Sequence, residues 1–571
     1  MTPLPKVSTL LALILPITAI KNPILPGWNP DPSILHLNNE YYLTTSSFEY
    51  FPGLPIYKST DLTNWTLHSH ALTRPSQLAL YGTPTGGGKT TPHPSPTHNT
   101  NPDPKNKGTW APTLSYINNT FYIATMTRWT YDPVAKVWPR ITWISSPDLE
   151  TWSDPIWAEP WGIDPSLFQD PVSGDVYLNL MAPDSKETEI WGIYQCQVDL
   201  GTGKCIDEYR SLWNGTMLHD VSARPEGPKM FVRGEWYYLL IAEGGTDDLH
   251  RASIARSHSP RGPWTPNPNN PILYNGAYGF DNLTVQSTGH TTIFDTASGD
   301  SYAVYIARRK INGSSPLGRE TFLSPVTWKD GWPVINNRRP ILLSESFGDT
   351  PDQSTPDIWI DNFEGSTLDN RWYQLRTPYT ENFILREKGG IIFRPNVYSL
   401  SERDVPAAIL RKQTSLNMTF TAELLPIRSE LRQSETVGIS VYLSEFQHQN
   451  IGVRGCKDGP GTGMCVYTQL YDEVRLNASS VDGLVLYIRA EPLCYRFGYG
   501  VANSSVNWVS SIESKWLAFA PQGWFVFEGA GFALFASGNG RPWSVGAPEV
   551  GFRSVTEEYF EEDIPDYDRW E

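Results

Sequence analysis

Between residues 31 and 307 one pattern recurs five times: a small or acidic residue, an apolar pair, a short polar or Gly/Asn turn, and an aromatic-rich strand. The segments are DPSILHLNNEYYLTTSS from Asp31, APTLSYINNTFYIATMT from Ala111, DPSLFQDPVSGDVYLNLM from Asp164, EGPKMFVRGEWYYLLIAE from Glu226 and GHTTIFDTASGDSYAVYIA from Gly289. Each reads as a β-hairpin. Further strands follow several of them, with echoes in KSTDLTNW (58–65), SSPDLETW (145–152) and RSHSPRGPW (256–264). Hairpin units at intervals of about 50–80 residues, with almost no helical periodicity, predict an all-β fold, a five-bladed β-propeller. In such a ring the first strand of every unit starts near the axis, so Asp31, Ala111, Asp164, Glu226 and Gly289-His290 are expected to converge. Three of them are carboxylates. Asp31 is moreover fixed between Pro30 and Pro32, which restrict the backbone on either side and aim its side chain. Like charges brought together at random would destabilise a fold, so the convergence points to a functional site.

The rest of the chain divides around this repeat. With 571 residues, two domains are expected. SESFGDTPDQSTPD (344–357) has the composition of a linker, and from Ile358 short alternating strands such as GISVYLSEF and LVLYIRAE predict a β-sandwich. The division is a leader at 1–19, a propeller at 20–343, the linker, and the sandwich at 358–571. The leader reading rests on one Lys followed by the apolar run Leu10–Ile20, too short to span a bilayer, with Ile-Thr-Ala at 17–19 as a cleavage site. It implies a secreted protein, and eight Asn-x-Ser/Thr sequons agree with export. A formal charge of −16 argues against nucleic acid and anionic membrane as partners. In an oxidising compartment Cys196 with Cys205, and Cys456 with Cys465, could each close a short loop, leaving Cys494 as a buried free thiol. No Cys/His cluster has metal-binding spacing. The acidic end EEYFEEDIPDYDRWE reads as a solvated terminus.

NPDPSI (29–34), SSFEYFPGLPIYKSTDLTNW (46–65), TWAPTLSY (109–116), GIDPSLF (162–168), EGPKMF (226–231), AEGGT (242–246), STGHTTIF (287–294) and LGRETFLSPVTWKDGWP (317–333) together resemble glycoside hydrolase family 43. The similarity is to its β-xylosidases and α-L-arabinofuranosidases that carry a C-terminal, concanavalin-like β-sandwich. The resemblance implies Asp31 as general base, Glu226 as general acid and Asp164 as the residue that tunes the acid. It also implies exo-acting, inverting release of terminal pentose, β-1,4-xylose and/or α-L-arabinofuranose, from xylo-oligosaccharides or arabinoxylan. Plant cell-wall carbohydrate would be the partner, and no cofactor would be required beyond at most a structural calcium ion. Phe48, Trp110 and Ala111 would lie at the sugar pocket, although Phe48 and Trp110 read equally well as core between blades. His290 is either near the sugar, a neutral ligand to a channel ion or water, or a structural histidine. Arg309 stands where a substrate-binding arginine is expected. Arg308 is its rival, because the chain has Arg308-Arg309-Lys310 where the family has a Gly-Arg pair followed by Pro. The sandwich is expected to close one side of the pocket, and the Pro- and Gly-rich stretch 78–110 to border its mouth. A non-catalytic sugar-binding propeller is the alternative. A fructan-cleaving propeller is disfavoured by the lack of Asn-Asp-Pro-Asn-Gly and Arg-Asp-Pro motifs.

Overall fold

The computed structural model describes residues 20–564, apart from 79, 81–107, 129–138, 184–190, 218–222, 345, 348–357, 459–462, 471–472, 477–481, 503, 518–526 and 563. The leader at 1–19, most of the 78–110 stretch and most of the linker lie outside the described residues. Each repeat supplies the first strand of a sheet: β1 (Ser33–Leu37), β2 (Gly108–Ile117), β3 (Ile163–Gln169), β4 (Glu226–Arg233) and β5 (Val285–Asp295). Among the described residues each of these heads a four-stranded antiparallel sheet. Successive first strands touch one another, and β5 touches β1, so the sheets close a ring.

The alternation of the strands explains the ring. Each sheet is apolar on both faces, and every face is buried against the neighbouring sheet. Ile56 and Leu72 meet Leu114 and Ile123; Met126 and Trp143 meet Leu167 and Leu178; Met181 and Ile193 meet Leu239 and Ile241. Leu240 and Ile254 then meet Val285 and Tyr305, and Val304 and Leu323 return to Ile34 and Leu43. Burial of these apolar faces is the main stabilising term. The N-terminal segment is fastened across the seam. Asn22 accepts from the Leu323 amide and donates to its carbonyl, both at 2.8 Å, and Ile24 N donates to Thr321 O at 2.9 Å.

From Ile358 onward an eight-stranded and a six-stranded antiparallel sheet face each other across a core that includes Phe420, Ile439, Ile488, Phe532 and Phe552. This sandwich is joined to the ring by strand pairing between Gln374–Leu375 and Tyr50–Phe51 and by a shared apolar cluster of Trp28, Tyr50, Tyr373, Leu410 and Phe535. Cys196–Cys205 and Cys456–Cys465 are disulfides. Two expectations need correction. Cys494 is free but only half-buried, because it sits where the hairpin Leu484–Glu491/Cys494–Val501 turns, with its thiol on Glu491. The acidic C-terminal run is not simply solvated. Glu557 is buried against Arg411, and Glu562 engages Arg309, the Ser415 hydroxyl and the Leu416 amide, because buried guanidinium groups require counter-charges.

Asn22→Ala removes both side-chain bonds across the seam. It is expected to lower stability by about 1–3 kcal/mol, as loss of buried hydrogen bonds does, and a chemical denaturation midpoint will report it.

Candidate active site

The sequence repeats converge with one shift of register. β2, β3, β4 and β5 are each bulged near the axis, and regular pairing resumes at Thr113, Ser166, Lys229 and Thr292; in β1 it begins at Ser33. The residue two places before has a left-handed backbone in every repeat: Asp31 (φ 58°), Ala111 (40°), Asp164 (53°), Gly227 (59°) and His290 (50°). The equivalent of Asp31 in the fourth repeat is therefore Gly227, not Glu226. The sequence mark of the position is the following proline, in Asp31-Pro32, Ala111-Pro112, Asp164-Pro165 and Gly227-Pro228. Glu226 stands one residue earlier and stays partly exposed, whereas Asp31 and Asp164 are each 5% exposed. Glycine suits position 227 for two reasons. Its φ of +59° strains any L-residue, and an added Cβ would come within 2.8 Å of His290 Nε2.

Asp31 is held by two donor residues, with an imidazole beside them. Arg319 Nη1 donates to Oδ1 at 3.0 Å and Ser46 Oγ donates to Oδ2 at 2.6 Å, while His290 Nδ1 lies 3.3 Å from Oδ1. Ser46 Oγ in turn accepts from the Ala111 amide at 2.7 Å, so Ala111 acts on the site through its backbone. Burial favours protonation of Asp31, but Arg319, then His290, the Ser46 hydroxyl and His250 outweigh it, and the carboxyl is held below its ordinary range. The other two acids go the opposite way. Burial, then the charge of Asp31, pushes Asp164 up to about 7, against Lys229 and the Gly227 amide, which donates to Asp164 Oδ2 at 3.1 Å. Burial, then Asp164, raises Glu226 well above the carboxylate range; Asp31 contributes less than Asp164 does. His290 is kept neutral by burial, its pKa lowered to about 3. The site thus joins one ionised carboxylate to a pair of carboxyls that retains a proton.

Phe48 and Trp110, expected as pocket wall or as core between blades, pack against each other here, with an addition from the sandwich. Phe48 is buried with its ring 6.3 Å from Trp110, and Phe527 packs 6.2 Å from Phe48 and 5.6 Å from Trp110, edge-on to the latter. Arg319 lies over both phenylalanine rings, and its Nε donates to Phe527 O at 3.1 Å. Arg309 is not brought to this cluster. Its guanidinium is tied to Glu320 and Glu562 at the domain boundary. Adjacent residues of a strand point to opposite faces, so Arg308, buried and within electrostatic reach of Asp31, Arg319, Asp247 and Asp248, faces the site instead. Arg319, Ser46, Lys229, His250 and Phe527 were not singled out from the sequence. Arg319 had a signal, since Gly318-Arg319 in LGRETF is a Gly-Arg pair. Phe527 had none, because nothing in its neighbourhood repeats.

Known proteins share this sequence pattern and this fold. The sequence model of Glycosyl hydrolases family 43 matches residues 20–333, and that of the Beta xylosidase C-terminal Concanavalin A-like domain matches residues 360–547. The chain is 31% identical over 532 residues to a Bacteroides ovatus protein named Non-reducing end alpha-L-arabinofuranosidase BoGH43B, covering 91% of this chain and 92% of that one. It is 32% identical to Xylosidase/arabinosidase 43B of Humicola insolens, over 77% of each. The solved structure of a xylan beta-1,4-xylosidase from Bacillus halodurans superposes with a TM-score of 0.81 at 26% identity, covering 94% of this chain and all of the other.

Gly227→Ala is expected to destabilise the fold by at least about 1 kcal/mol through the left-handed backbone alone, and to displace His290. A thermal melt, compared with Ala substitution of the open Gly234, will separate this from a general glycine effect.

Proposed function

The chain belongs to glycosyl hydrolases family 43 and is a glycosidase, and from that premise we propose that it removes single pentose units, β-1,4-xylose and/or α-L-arabinofuranose, from the ends of xylo-oligosaccharides or arabinoxylan with inversion. The observation that carries the reading is the convergence of Asp31, Asp164 and Glu226 at one end of the ring, which we read as a five-bladed propeller, with Arg319 bonded to Asp31 and the Gly227 amide bonded to Asp164; their surroundings shift Asp31 and Glu226 in opposite directions. Asp31, kept ionised by Arg319 and Ser46, serves as general base toward water. Glu226, kept protonated by burial and by Asp164, serves as general acid toward the departing oxygen. Asp164 acts through Glu226: its carboxyl exerts the largest charge effect on the acid, and it accepts the amide of the next residue, Gly227, so it sets both the proton and the local backbone. Inversion is proposed from the family likeness; it places base and acid on opposite sides of the sugar with room for water. The walls Phe48, Trp110 and Phe527 support a pocket for one terminal ring over an open groove, hence exo action.

Acid and base suffice for this reaction, so no cofactor is required. A structural calcium ion on the axis would meet the Lys229 ammonium, which Thr113 Oγ1 accepts at 2.8 Å and whose charge disfavours a second cation there. We place the protein outside the cell, on the strength of its leader-like N-terminus, acting on plant cell-wall carbohydrate. Among the described residues no helix is long and apolar enough to cross a membrane.

Proton NMR during early hydrolysis of a 4-nitrophenyl pentoside tests the mechanism: the first-formed pentose is expected with inverted anomeric configuration, and retention would overturn it. Asp31→Ala is expected to lower kcat at least 100-fold on every substrate. Glu226→Ala should be milder on a good leaving group than on an oligosaccharide, since a good leaving group departs with little protonation; equal loss on both would remove Glu226 as the acid. With Asp164→Asn the charge that raises Glu226 is gone, so Glu226 loses its proton at lower pH and the alkaline limb of the kcat/KM profile should move down.

A further inference from the structure

Directly behind the pocket wall lies a second group of buried acids that the hydrolytic chemistry does not use. Glu49 follows Phe48 and Glu528 follows Phe527, so each wall phenylalanine is chained to a carboxyl at the boundary between ring and sandwich. Both carboxyls are buried, at 0% and 2% exposure, and they face each other. Among the described residues, Glu49 Oε1 and Oε2 receive no hydrogen bond from another residue's amide or from a cation. Glu528 Oε2 accepts the Phe527 amide at 3.1 Å. The other charged or titratable groups facing this pair are Arg376, Glu445, Tyr50 and Tyr442 on the Glu49 side and Arg319 on the Glu528 side. Of the two cations, Arg376 donates to Asp404 O at 2.8 Å and Arg319 is bonded to Asp31.

The backbone around Glu528 is pressed onto the ring. Ala530 N donates to Pro316 O at 2.7 Å, and a Cβ on Gly318 would come within 2.5 Å of Glu528 O. On the other side, Arg376 N donates to Glu49 O at 2.8 Å. A charge at Glu49 and a charge at Glu528 therefore cannot separate without moving the backbone segments that hold Phe48 and Phe527.

We propose that Glu49 and Glu528 share one proton and that this shared proton fastens the sandwich's Phe527 wall to the ring's Phe48 wall, making the pair a positioning device for the pocket. Buried carboxyls in contact hold a proton far above the usual range, because the second charge is opposed both by burial and by the first. The direction here agrees: burial and then Glu528 raise Glu49, and burial raises Glu528 to about 7. For an acid raised in the folded state, the stabilisation is complete below its unfolded pKa and is lost as pH climbs through the folded value. The Phe527 wall should thus loosen on the alkaline side of neutrality.

This rests on the reading of Phe48, Trp110 and Phe527 as the pocket wall, so the test has a readout that needs no substrate. Hydrogen exchange of the Phe527–Ala530 segment, expressed as protection factors to remove the intrinsic effect of pH, is measured at about pH 6 and about pH 9 in the full chain. In the wild type protection is expected to fall about tenfold or more, the factor that one pKa unit of differential interaction represents. KM for a 4-nitrophenyl pentoside should rise over the same interval. Glu528→Gln keeps an acceptor for the Phe527 amide and supplies an NH2 donor to Glu49 at every pH, so both changes should disappear. Glu49→Gln is the independent second variant with the same expectation. Constant protection in the wild type, or an unaltered fall in both Gln variants, overturns the proposal. Loss of protection with an unchanged KM also overturns it as a device of the pocket, whereas absence of hydrolysis altogether would strike at the function and not at the exchange result.

Discussion

Three carboxyl groups crowded onto a buried axis set the terms for what surrounds them. The ring places Asp31 and Asp164 at equivalent positions and Glu226 one residue away, and no arrangement of the five sheets can move them apart without unpicking the inter-sheet cores. The excess negative charge is answered in three ways: Arg319 pairs with Asp31, the Lys229 ammonium crosses beneath from the fourth repeat to Thr113 of the second, and a proton stays on the Asp164–Glu226 pair. The same repulsion that would weaken an ordinary fold here holds chemically similar groups in different protonation states.

Arg319 extends this constraint beyond the ring. Its Nη atoms serve Asp31 while its Nε donates to a carbonyl of the sandwich, at Phe527. The boundary around it is stiff: Lys412 from the sandwich reaches Asn29 Oδ1 at 2.8 Å, two residues before Asp31, and Trp28 is fully buried between the two units. The two domains recognised in the sequence thus share one site.

Much of the ring was legible because the repeat is written in residues whose conformation is restricted. Asp31-Pro32, Ala111-Pro112 and Asp164-Pro165 mark the axial position directly, and the alternation after them marks the strands. The fourth repeat was misaligned by one residue because the eye follows the carboxylate, whereas the backbone follows the left-handed residue before proline, and there that residue is Gly227. The family resemblance favours Arg309 over Arg308, yet which of two neighbouring strand residues faces the axis depends on a pleat that sequence does not reveal when both are arginine. Arg319 lay in a motif already recognised and was passed over. Phe527 and Glu528 were out of reach, since their roles depend on how two domains dock, and docking leaves no periodic trace.

The sandwich's place in the site also bears on biosynthesis. A chain grows from its N-terminus at about 5–20 residues per second and domains fold as they emerge, so the ring and its acid cluster can assemble while residues 527–530 are still to be translated. During that interval, on the order of ten seconds or more at those rates, Arg319 lacks the Phe527 carbonyl that accepts from its Nε, and Phe48 lacks the ring that packs beside it. The ring of sheets therefore passes through a state in which its three acids are assembled and the aromatic side chain that the sandwich adds beside Arg319 is still missing.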